Sequence, residues 1–419
     1  MELLKNRLSK SLSDAAKELY SLDIEVAKVN IEPADPRFAD MQTNLPFTLV
    51  KQVRKAPPLI GQEIVNNIAD DFTGELEFSV KGGFLNMSFT KGFLSRMADE
   101  VREDSFTKSG FGKAEKVNIE FVSANPTGPL NVVSARAAAV GDTLARLMRE
   151  TGWEVTAEYY NNDAGNQVEL LGQSFQARMD ELNGKPLEIP EGGYHGDYLI
   201  DYAKEYIAEK PDTQPTTWIL NRIISENQRV LRDFACNHDI FFSERKFRES
   251  GAVERLWDRF SPDDIYEKDG AVWFSASKYD NSIEDYVIRK SDGSLSYIIV
   301  DIAYNAEKLE ARGFDRILVI LGPDHHNHAK RVEAALKALG LGGRYQVLIL
   351  QQVNLFDDGE AVKMSKRAGK IIPMSELLDD IGKDVARYFF LQRRMEAHLD
   401  FDLQLARKQS NENPMYYIQ

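Results

Sequence analysis

The stretch VNIEFVSANPTGPL, residues 117–130, decides the fold class of this chain. Its first six residues are typical of a short strand, and SANPTGPL (123–130) has the Pro, Gly and Asn content of a turn. A helical pattern covers residues 135–150, Gly152 marks its end, and a second strand pattern follows at 153–160. Strand, helix and strand in this order predict a βαβ unit and therefore a parallel sheet with helices on its faces.

Further patterns extend this parallel-sheet region towards the C-terminus. A helical pattern covers residues 302–312, and apolar runs at 316–321 and 345–356 are typical of strands. Residues 170–285 are more polar and rich in helical signals, which predicts a helical insertion. The tail, residues 375–419, also has a helical pattern. The fold class is therefore α/β.

The first 103 residues predict a separate, small α+β domain that opens with an amphipathic helix. Helical patterns follow at 47–55 and 58–68, and alternating strand patterns lie at 76–80 and 84–89. Gly82-Gly83 between the two strand patterns is a turn signal. A polar stretch, residues 104–116, is predicted to link this domain to the α/β region.

Composition narrows the class of protein. A chain of 419 residues is long enough for about three domains. It carries 52 basic and 66 acidic residues, a formal net charge of −14, which argues against indiscriminate nucleic-acid binding but not against a local basic patch. No apolar run is long enough to span a bilayer, the N-terminus lacks a signal-peptide pattern, and Cys236 is the one cysteine. These features favour a cytoplasmic protein that does not bind membranes.

Two loops have compositions suited to phosphate chemistry. The 123–130 turn lies between a strand and a helix, where parallel α/β folds bind nucleotides and the helix N-terminus offers free N–H groups. Pro and Gly are also common in ordinary turns of this kind. Residues 363–370, KMSKRAGK, hold four basic residues and no acid. Such a loop suits the negative charge that develops on transferring phosphates, and a solvated basic loop is the alternative.

The two loops together show a family resemblance. KMSKR (363–367) is similar to the second signature loop of class I aminoacyl-tRNA synthetases. Five further segments narrow the resemblance to arginyl-tRNA synthetases: SANPTGPL (123–130), EYYNNDAGNQ (158–167), SDGSLSYIIVDIAY (291–304), GPDHHNH (322–328) and HLDFDL (398–403). It extends from the N-terminal domain, which resembles that family's tRNA-elbow-binding domain, to the last residue.

The resemblance implies a fold and an activity. The fold is a Rossmann-like catalytic domain over 117–374, with the 170–285 insertion, followed by a segment at 375–419 that contacts the acceptor stem. The activity is that of an ATP-dependent arginine–tRNA ligase, with L-arginine, ATP accompanied by Mg²⁺, and tRNA(Arg) as its partners. The family is usually monomeric. Its members continue past a segment like NENPMYYIQ into an α-helical anticodon-binding domain, which this chain is expected to lack.

The resemblance also implies which residues bind arginine. They are Glu120, Ser123, Asn125, Tyr297, Asp301 and His325. The chemistry is consistent, because Tyr297 and Asp301 are four residues apart and would share one helical face. Carboxylates suit a planar guanidinium, which donates in a bidentate fork. The GPDHHNH segment has an alternative interpretation as a metal cluster, but without a cysteine partner we expect no metal site there.

The ATP site implied by the resemblance includes a departure from the family pattern. The ATP-binding residues are Pro129, Asn131, Ser134, Ser365 and Lys366, and the catalytic residues are Lys366, Lys363, Asn131 and Ser134. The family's His-x-Gly-His signature is replaced by Asn131-Val132-Val133-Ser134. Asn131 and Ser134 can donate hydrogen bonds but cannot carry an imidazolium charge. Val133 is a branched residue where glycine allows close approach.

Two other functions are compatible with the sequence. One is a non-catalytic synthetase paralogue that acts as a tRNA- or arginine-binding module, which the altered first signature favours. The other is a tRNA-independent nucleotidyltransferase on the same fold, because a fold does not fix a function. The N-terminal domain, which resembles a tRNA-binding domain, argues against the second.

Overall fold

The computed structural model describes residues 2–103, 108–361 and 372–419. The chain divides into two compact units, Met1–Lys108 and Ser109–Gln419. In the described part of the chain, no helix is both long and apolar enough to cross a membrane.

In its described residues, 2–103 and 108, the first unit has four α-helices and a four-stranded antiparallel sheet. The helices are α1 (Glu2–Tyr20), α2 (Leu45–Val53), α3 (Pro57–Ile68) and α4 (Lys91–Val101). The strands are β1 (Glu32–Pro33), β2 (Met41–Thr43), β3 (Leu76–Lys81) and β4 (Phe84–Phe89), in the order β1-β2-β4-β3. Leu8, Leu12, Ile60 and Ile64 pack with Leu85 in one apolar core. The predicted α+β composition of this region is confirmed.

The hairpin between β3 and β4 depends on its second glycine. Gly83 has a φ of +94°. A Cβ at this position would lie 2.7 Å from Cβ of Pro57 and 2.8 Å from Cζ of Phe47. Both the left-handed backbone and the close approach of two helices therefore require glycine here.

The second unit is built on a five-stranded parallel sheet. Its strands are β5 (Lys116–Glu120), β6 (Glu154–Asn161), β7 (Ile240–Ser243), β11 (Arg316–Leu321) and β12 (Tyr345–Ile349), in the order β12-β11-β5-β6-β7. The chain passes from β5 to β6 on one side and later returns to place β11 on the other. The gap between β5 and β11 is therefore a topological switch point, where open parallel sheets bind ligands at their carboxyl ends.

Helices cover both faces of this sheet. Helix α5 (Val132–Glu150) packs on one face, in a core with Val117, Ile119 and Phe121. Helices α11 (Tyr297–Glu310) and α12 (His326–Ala338) pack on the other, with Ile317 and Val319. Helix α5 approaches the sheet closely at Gly141, where an added Cβ would lie 2.2 Å from the Phe121 ring. The predicted βαβ unit and its parallel sheet are confirmed.

The predicted helical insertion at 170–285 is only helical in its first half. Helices α6 (Asn166–Leu182), α7 (Tyr198–Glu209) and α8 (Pro215–Asp233) form their own apolar core around Phe175 and Ile219. Strand β7 then joins the central sheet beside β6. It is only four residues long, so its IFFS pattern was too short to stand out from the surrounding helical signals.

The rest of that segment contains two short helices and part of a second sheet. The helices are α9 (Glu244–Glu249) and α10 (Ala252–Trp257). The antiparallel strands are β8 (Ile265–Lys268), β9 (Ala271–Phe274) and β10 (Tyr286–Arg289). The prediction of a helical insertion is therefore wrong after Asp233.

The expected single strand at 345–356 is two strands in different sheets. Strand β12 ends at Ile349, and β13 (Val353–Asp357) pairs with β14 (Glu360–Ala361) and with β15 (Leu399–Asp402). The fully buried guanidinium of Arg136 donates to the Gln351 carbonyl at 2.7 Å. This hydrogen bond stabilises the break between the two strands, which local sequence does not reveal.

The C-terminal segment is mostly helical but not entirely so. Its helices are α13 (Met374–Ile381), α14 (Lys383–Leu391), α15 (Leu403–Arg407) and α16 (Pro414–Ile418). The exception is β15, whose Leu399 and Phe401 are buried while Asp400 and Asp402 are exposed. The prediction of helix throughout 375–419 is corrected at this strand, because its alternating pattern has only four residues.

Candidate active site

The backbone is strained directly after β5. Val122 and Ser123 have φ values of +71° and +40°. Non-glycine residues in this region cost of order 1–3 kcal/mol each, and such strain is concentrated at functional sites. The Ser123 hydroxyl donates to Glu120 Oε1 at 3.2 Å and accepts from the Tyr160 N–H at 3.2 Å. Hydrogen bonds on both sides therefore hold the turn at the carboxyl end of the sheet.

A cavity of about 290 Å³ opens beside this turn, at the switch point between β5 and β11. Five of the six residues predicted to bind arginine line it: Glu120, Ser123, Asn125, Asp301 and His325. The structure therefore brings together residues that are up to 205 positions apart in the sequence (325 − 120). The lining has six further polar residues that were not predicted as site residues: Tyr160, Asn162, Tyr304, Asn305, His328 and Tyr345.

Tyr297, the sixth predicted residue, lies differently. It is the first residue of α11, its side chain is 67% exposed, and it is not part of the cavity lining. Its position four residues before Asp301 was correct as helical spacing. However, the helix begins at Tyr297, so no preceding turn covers the ring.

Glu120 is already paired within the protein. The Lys308 Nζ donates to its Oε2 at 2.7 Å, and Lys308 is fully buried with Nζ 4.0 Å from the centre of the Tyr304 ring. The other carboxylate oxygen accepts from Ser123. The Glu120 charge is therefore balanced by a buried cation, and this carboxylate acts on the shape of the 122–123 turn.

Asp301 is the more available carboxylate of the cavity. Its Oδ2 lies 2.8 Å from Nε2 of His328, and the two side chains are 35% and 34% exposed. Among the described residues, no lysine or arginine side chain forms an ion pair with Asp301. Asp301 is therefore suited to a cationic group that enters the cavity.

A buried network lies behind the cavity wall and keeps it rigid. Glu158 accepts from Asn118 Nδ2 at 2.6 Å, from the Tyr304 hydroxyl at 2.6 Å and from Arg312 Nη1 at 2.9 Å. Burial alone would raise the pKa of Glu158, but the hydrogen bond with Arg312 and the charges of Lys308 and Arg312 lower it overall. Burial, with the charges of Glu120 and Glu158, raises the pKa of Tyr304 well above its ordinary value. Tyr304 therefore stays neutral and remains a donor.

A further buried acid stands next to the cavity. Glu244, at the start of α9, is 2.6 Å from the Arg248 guanidinium and is buried. Burial, followed by the charges of Asp301 and Glu244, raises the pKa of Tyr160 on the cavity wall. Sequence reasoning missed Glu244 because the strand that carries it to this place, β7, was itself not predicted.

A second cavity of about 470 Å³ adjoins the first. The two share Ser123, Asn125, Leu321 and His325, and the second continues to Val133 and Ser134 at the start of α5. Asn125 Nδ2 donates to Gln167 Oε1 at 2.8 Å, and Gln167 also lines this cavity. The pair of cavities therefore forms one groove from the Asp301 carboxylate to a helix N-terminus.

The residues predicted to bind ATP at the start of α5 differ in whether they face the groove. Asn131 is the N-cap of α5, and its Oδ1 accepts from the N–H groups of Val133 and Ser134, each at 3.1 Å. The Ser134 hydroxyl also donates to this oxygen, at 3.3 Å. Ser134 lines the second cavity, whereas Asn131 and Pro129 are outside its lining. Asn131 thus organises the helix start, and Ser134 faces the groove.

The second predicted loop, residues 363–370, lies outside the described part of the chain. Lys363, Ser365 and Lys366 lie outside the described residues. The chain resumes beside the first loop, where the Met374 N–H donates to the Leu130 carbonyl at 2.7 Å and Pro373 forms a β-bridge with Asn131. Over the described ranges, no three His, Cys, Asp or Glu side chains are grouped so as to hold a metal ion.

Comparison with known protein families identifies the class of protein to which this chain belongs. A model described as "tRNA synthetases class I (R), catalytic domain" matches residues 101–396. A second, described as "Arginyl tRNA synthetase N terminal domain", matches residues 3–89. Since the first match alone covers more than half of the 419 residues, the class is that of the class I aminoacyl-tRNA synthetases.

Relatives and a solved structure agree with this class. The chain is 41% identical over 412 residues to the arginine–tRNA ligase of Shouchella clausii, covering 94% of this chain and 74% of the relative. It is 39% identical to that of Moorella thermoacetica, covering 99% and 78%. The Thermus thermophilus arginyl-tRNA synthetase structure has the same fold, with a TM-score of 0.64 at 18% identity over 97% of this chain and 78% of the other. The chain belongs to the arginyl-tRNA synthetase family.

Proposed function

We propose that this chain is an ATP-dependent arginine–tRNA ligase. In the first step the arginine carboxylate attacks the α-phosphorus of ATP, arginyl-adenylate forms and pyrophosphate leaves. In the second, a hydroxyl of the terminal ribose of tRNA(Arg) attacks the arginyl carbonyl, and AMP leaves. Neither step needs a protein nucleophile, so catalysis consists of positioning and charge stabilisation.

One observation carries this proposal: the Asp301 carboxylate lies in a cavity that opens towards the N-terminus of α5. A guanidinium fits a carboxylate that no lysine or arginine of the described residues already pairs with. Triphosphate groups fit the positive end of a helix dipole, which the N-terminus of α5 provides. The groove therefore suits arginine at one end and ATP at the other.

The residues shared by the two cavities occupy the place where the substrates must meet. Ser123, Asn125 and His325 line both cavities. We assign them to the α-amino and carboxylate end of arginine, beside the α-phosphate. Glu120 acts as a positioning residue that holds Ser123. Ser134 contacts the nucleotide, Asn131 orders the helix start and Pro129 shapes the preceding turn. We assign Tyr297 to the rim of the arginine site.

The family resemblance extends this assignment to further groups. Lys363 and Lys366 would stabilise the charge that develops on the phosphates, and Ser365 would contact ATP. Mg²⁺ would be carried by the phosphate oxygens of ATP, since hard cations prefer oxygen ligands. It would supply further charge neutralisation there.

We extend the proposal to the domains and the cellular setting. Residues 1–103 would contact the tRNA elbow, and residues 104–116 would link them to the catalytic domain. Residues 117–374 would hold the catalytic site, and residues 375–419 would approach the acceptor stem. The protein would act as a monomer in the cytoplasm.

Arginine-dependent exchange of labelled pyrophosphate into ATP tests the first step. The assay is run with and without tRNA, because family members usually need tRNA for activation. Exchange that depends on arginine supports the ligase. Absent exchange, together with no ATP binding by calorimetry, would instead support a non-catalytic binding module.

A further inference from the structure

One residue of the cavity lining has a buried polar atom with no hydrogen-bond partner among the described residues. Asn305 lies one turn after Asp301 on α11, lines the cavity and is only 5% exposed. Its Nδ2 donates to the Asp301 carbonyl at 2.8 Å. Its Oδ1 is buried and has no hydrogen-bond partner among the described residues. A buried acceptor without a donor costs free energy, so its presence in a cavity points to a ligand that donates.

The two carboxylates of the cavity lining already take part in hydrogen bonds. Both oxygens of Glu120 accept hydrogen bonds, from Lys308 and from Ser123. The Oδ2 atom of Asp301 is within hydrogen-bond distance of His328 Nε2, at 2.8 Å. A guanidinium has five N–H donors, so one carboxylate with a single free oxygen leaves most of them unsatisfied. A second acceptor on the same helical face would accept a hydrogen bond from one of the remaining N–H groups.

We infer that Asn305 is a specificity-determining residue, whose side-chain oxygen accepts a hydrogen bond from the substrate guanidinium beside Asp301. This inference rests on the proposed function and extends it. The neutral carbonyl adds recognition without a further negative charge in a cavity that already holds Glu120 and Asp301. A lysine ammonium is a compact charge with three donors, so an acceptor beside Asp301 favours the broader, planar guanidinium.

Two substitutions separate this role from a purely structural one. Asn305→Leu removes both the acceptor and the Nδ2 donor, whereas Asn305→Asp removes only the donor and keeps an acceptor oxygen. Asn305→Ala is a smaller variant that removes both groups without adding bulk. Thermal unfolding of the three variants shows whether each one folds. If Asn305 acts only through its Nδ2 hydrogen bond to the Asp301 carbonyl, Asn305→Leu and Asn305→Asp should weaken arginine binding equally.

The readout is arginine affinity by isothermal titration calorimetry on the full chain, with ATP affinity as the internal control. We expect Asn305→Leu and Asn305→Ala to weaken arginine binding by about tenfold to a hundredfold, the usual range for a hydrogen bond to a charged group. Asn305→Asp should bind arginine more tightly than either. ATP affinity should stay within about twofold in all three, a change well below one such hydrogen bond.

Three results would overturn the inference. Unchanged arginine affinity in Asn305→Leu and Asn305→Ala would show that the oxygen is not a ligand. Arginine affinity that is weakened equally in Asn305→Leu, Asn305→Ala and Asn305→Asp would show that only the Nδ2 hydrogen bond matters. Both results leave the proposed function intact, because the unsubstituted chain still binds arginine. If the unsubstituted chain binds no arginine at all, the inference and the proposed function both fail.

Discussion

The Nε2 atom of His328 and the Oδ2 atom of Asp301 lie 2.8 Å apart, and they join helix α12 to helix α11 at the cavity. Asp301 is one turn into its helix, and His328 is in the first turn of the other. The imidazole therefore fixes the direction of the carboxylate that is best placed to receive a cation. Under the proposed function, the geometry of arginine binding would depend on this contact between two helices.

The charge of Asp301 should be essential for arginine binding. We expect Asp301→Asn to lower kcat/KM for arginine by about a hundredfold, the scale for truncating one partner of a close charge pair. The KM for ATP should change little. Steady-state charging kinetics measure both parameters. Asp269→Asn is the matched control, because this exposed turn residue lies outside the cavity lining and asparagine tolerates its φ of +55°. Equal losses in the two variants would contradict the role of Asp301.

The strained turn at Val122 should matter for activity more than for stability. Val122→Gly relieves the left-handed backbone, but it adds entropy to the unfolded chain and removes a half-buried side chain that packs against the core. We expect the free energy of unfolding to fall by about 1–2 kcal/mol, a loss that leaves the chain folded, while kcat/KM for arginine falls because Ser123 is held less firmly. Denaturant unfolding measures the free energy of unfolding, and tRNA-charging kinetics measure kcat/KM for arginine.

Ala114→Gly provides the comparison for this prediction. Ala114 also has a positive φ, +58°, and is exposed outside both cavities. Its replacement should leave activity unchanged. If Val122→Gly behaves in the same way, the turn is not part of the catalytic machinery.

The cap at Asn131 should separate helix stability from nucleotide binding. Asn131→Ala removes the acceptor for two backbone N–H groups and should cost about 1 kcal/mol of unfolding free energy. Asn131→Asp keeps a capping oxygen, so its stability should match that of the unsubstituted chain. Its negative charge should nevertheless raise the KM for ATP by repelling the phosphates. An unchanged KM for ATP in Asn131→Asp would place the phosphates away from this cap.

Stability should fall at acid pH through His238. Burial against Phe121, at a ring distance of 4.3 Å, lowers the pKa of His238 from 6.5 to about 4. The unfolded chain therefore binds a proton below pH 6.5 that the folded chain binds only near pH 4. This stability is fully present above pH 6.5 and is lost as pH falls towards 4, by about 3 kcal/mol for a shift of this size.

A phenylalanine at this position removes the titration but keeps an aromatic ring. Between pH 6.5 and 4, the unfolding free energy of His238→Phe should fall less steeply than that of the unsubstituted chain. Denaturant unfolding across this pH range measures the difference. His195→Gln, which replaces an exposed histidine, is the control. Parallel curves for His238→Phe and the unsubstituted chain would show that His238 does not carry the effect.

The sequence was most informative where local patterns are strong. The unit from Lys116 to Asn161 was predictable because each of its elements has a clear period and its turn contains Pro and Gly. Strand β7 was missed because four residues are too few to show a period. The break at Gln351 and Gln352 depends on Arg136, which is more than two hundred positions away.

The chemistry of the site followed the same division. The segments that resemble the family indicated which side chains converge. Five of the six residues predicted to bind arginine line one cavity. The partners of those residues could not be predicted, because Lys308 reaches Glu120 across 188 positions. The unpaired oxygen of Asn305 is a property of packing, and only the three-dimensional structure reveals it.

Charging of total tRNA with labelled arginine, ATP and Mg²⁺ tests the central claim most directly. The account predicts acid-precipitable arginine above background with the unsubstituted chain, and a strong loss of this signal in Asp301→Asn at subsaturating arginine. Asp269→Asn should charge normally. No charging by the unsubstituted chain, or charging that is equally efficient in Asp301→Asn, would contradict the proposal that this cavity is the arginine site of an active ligase.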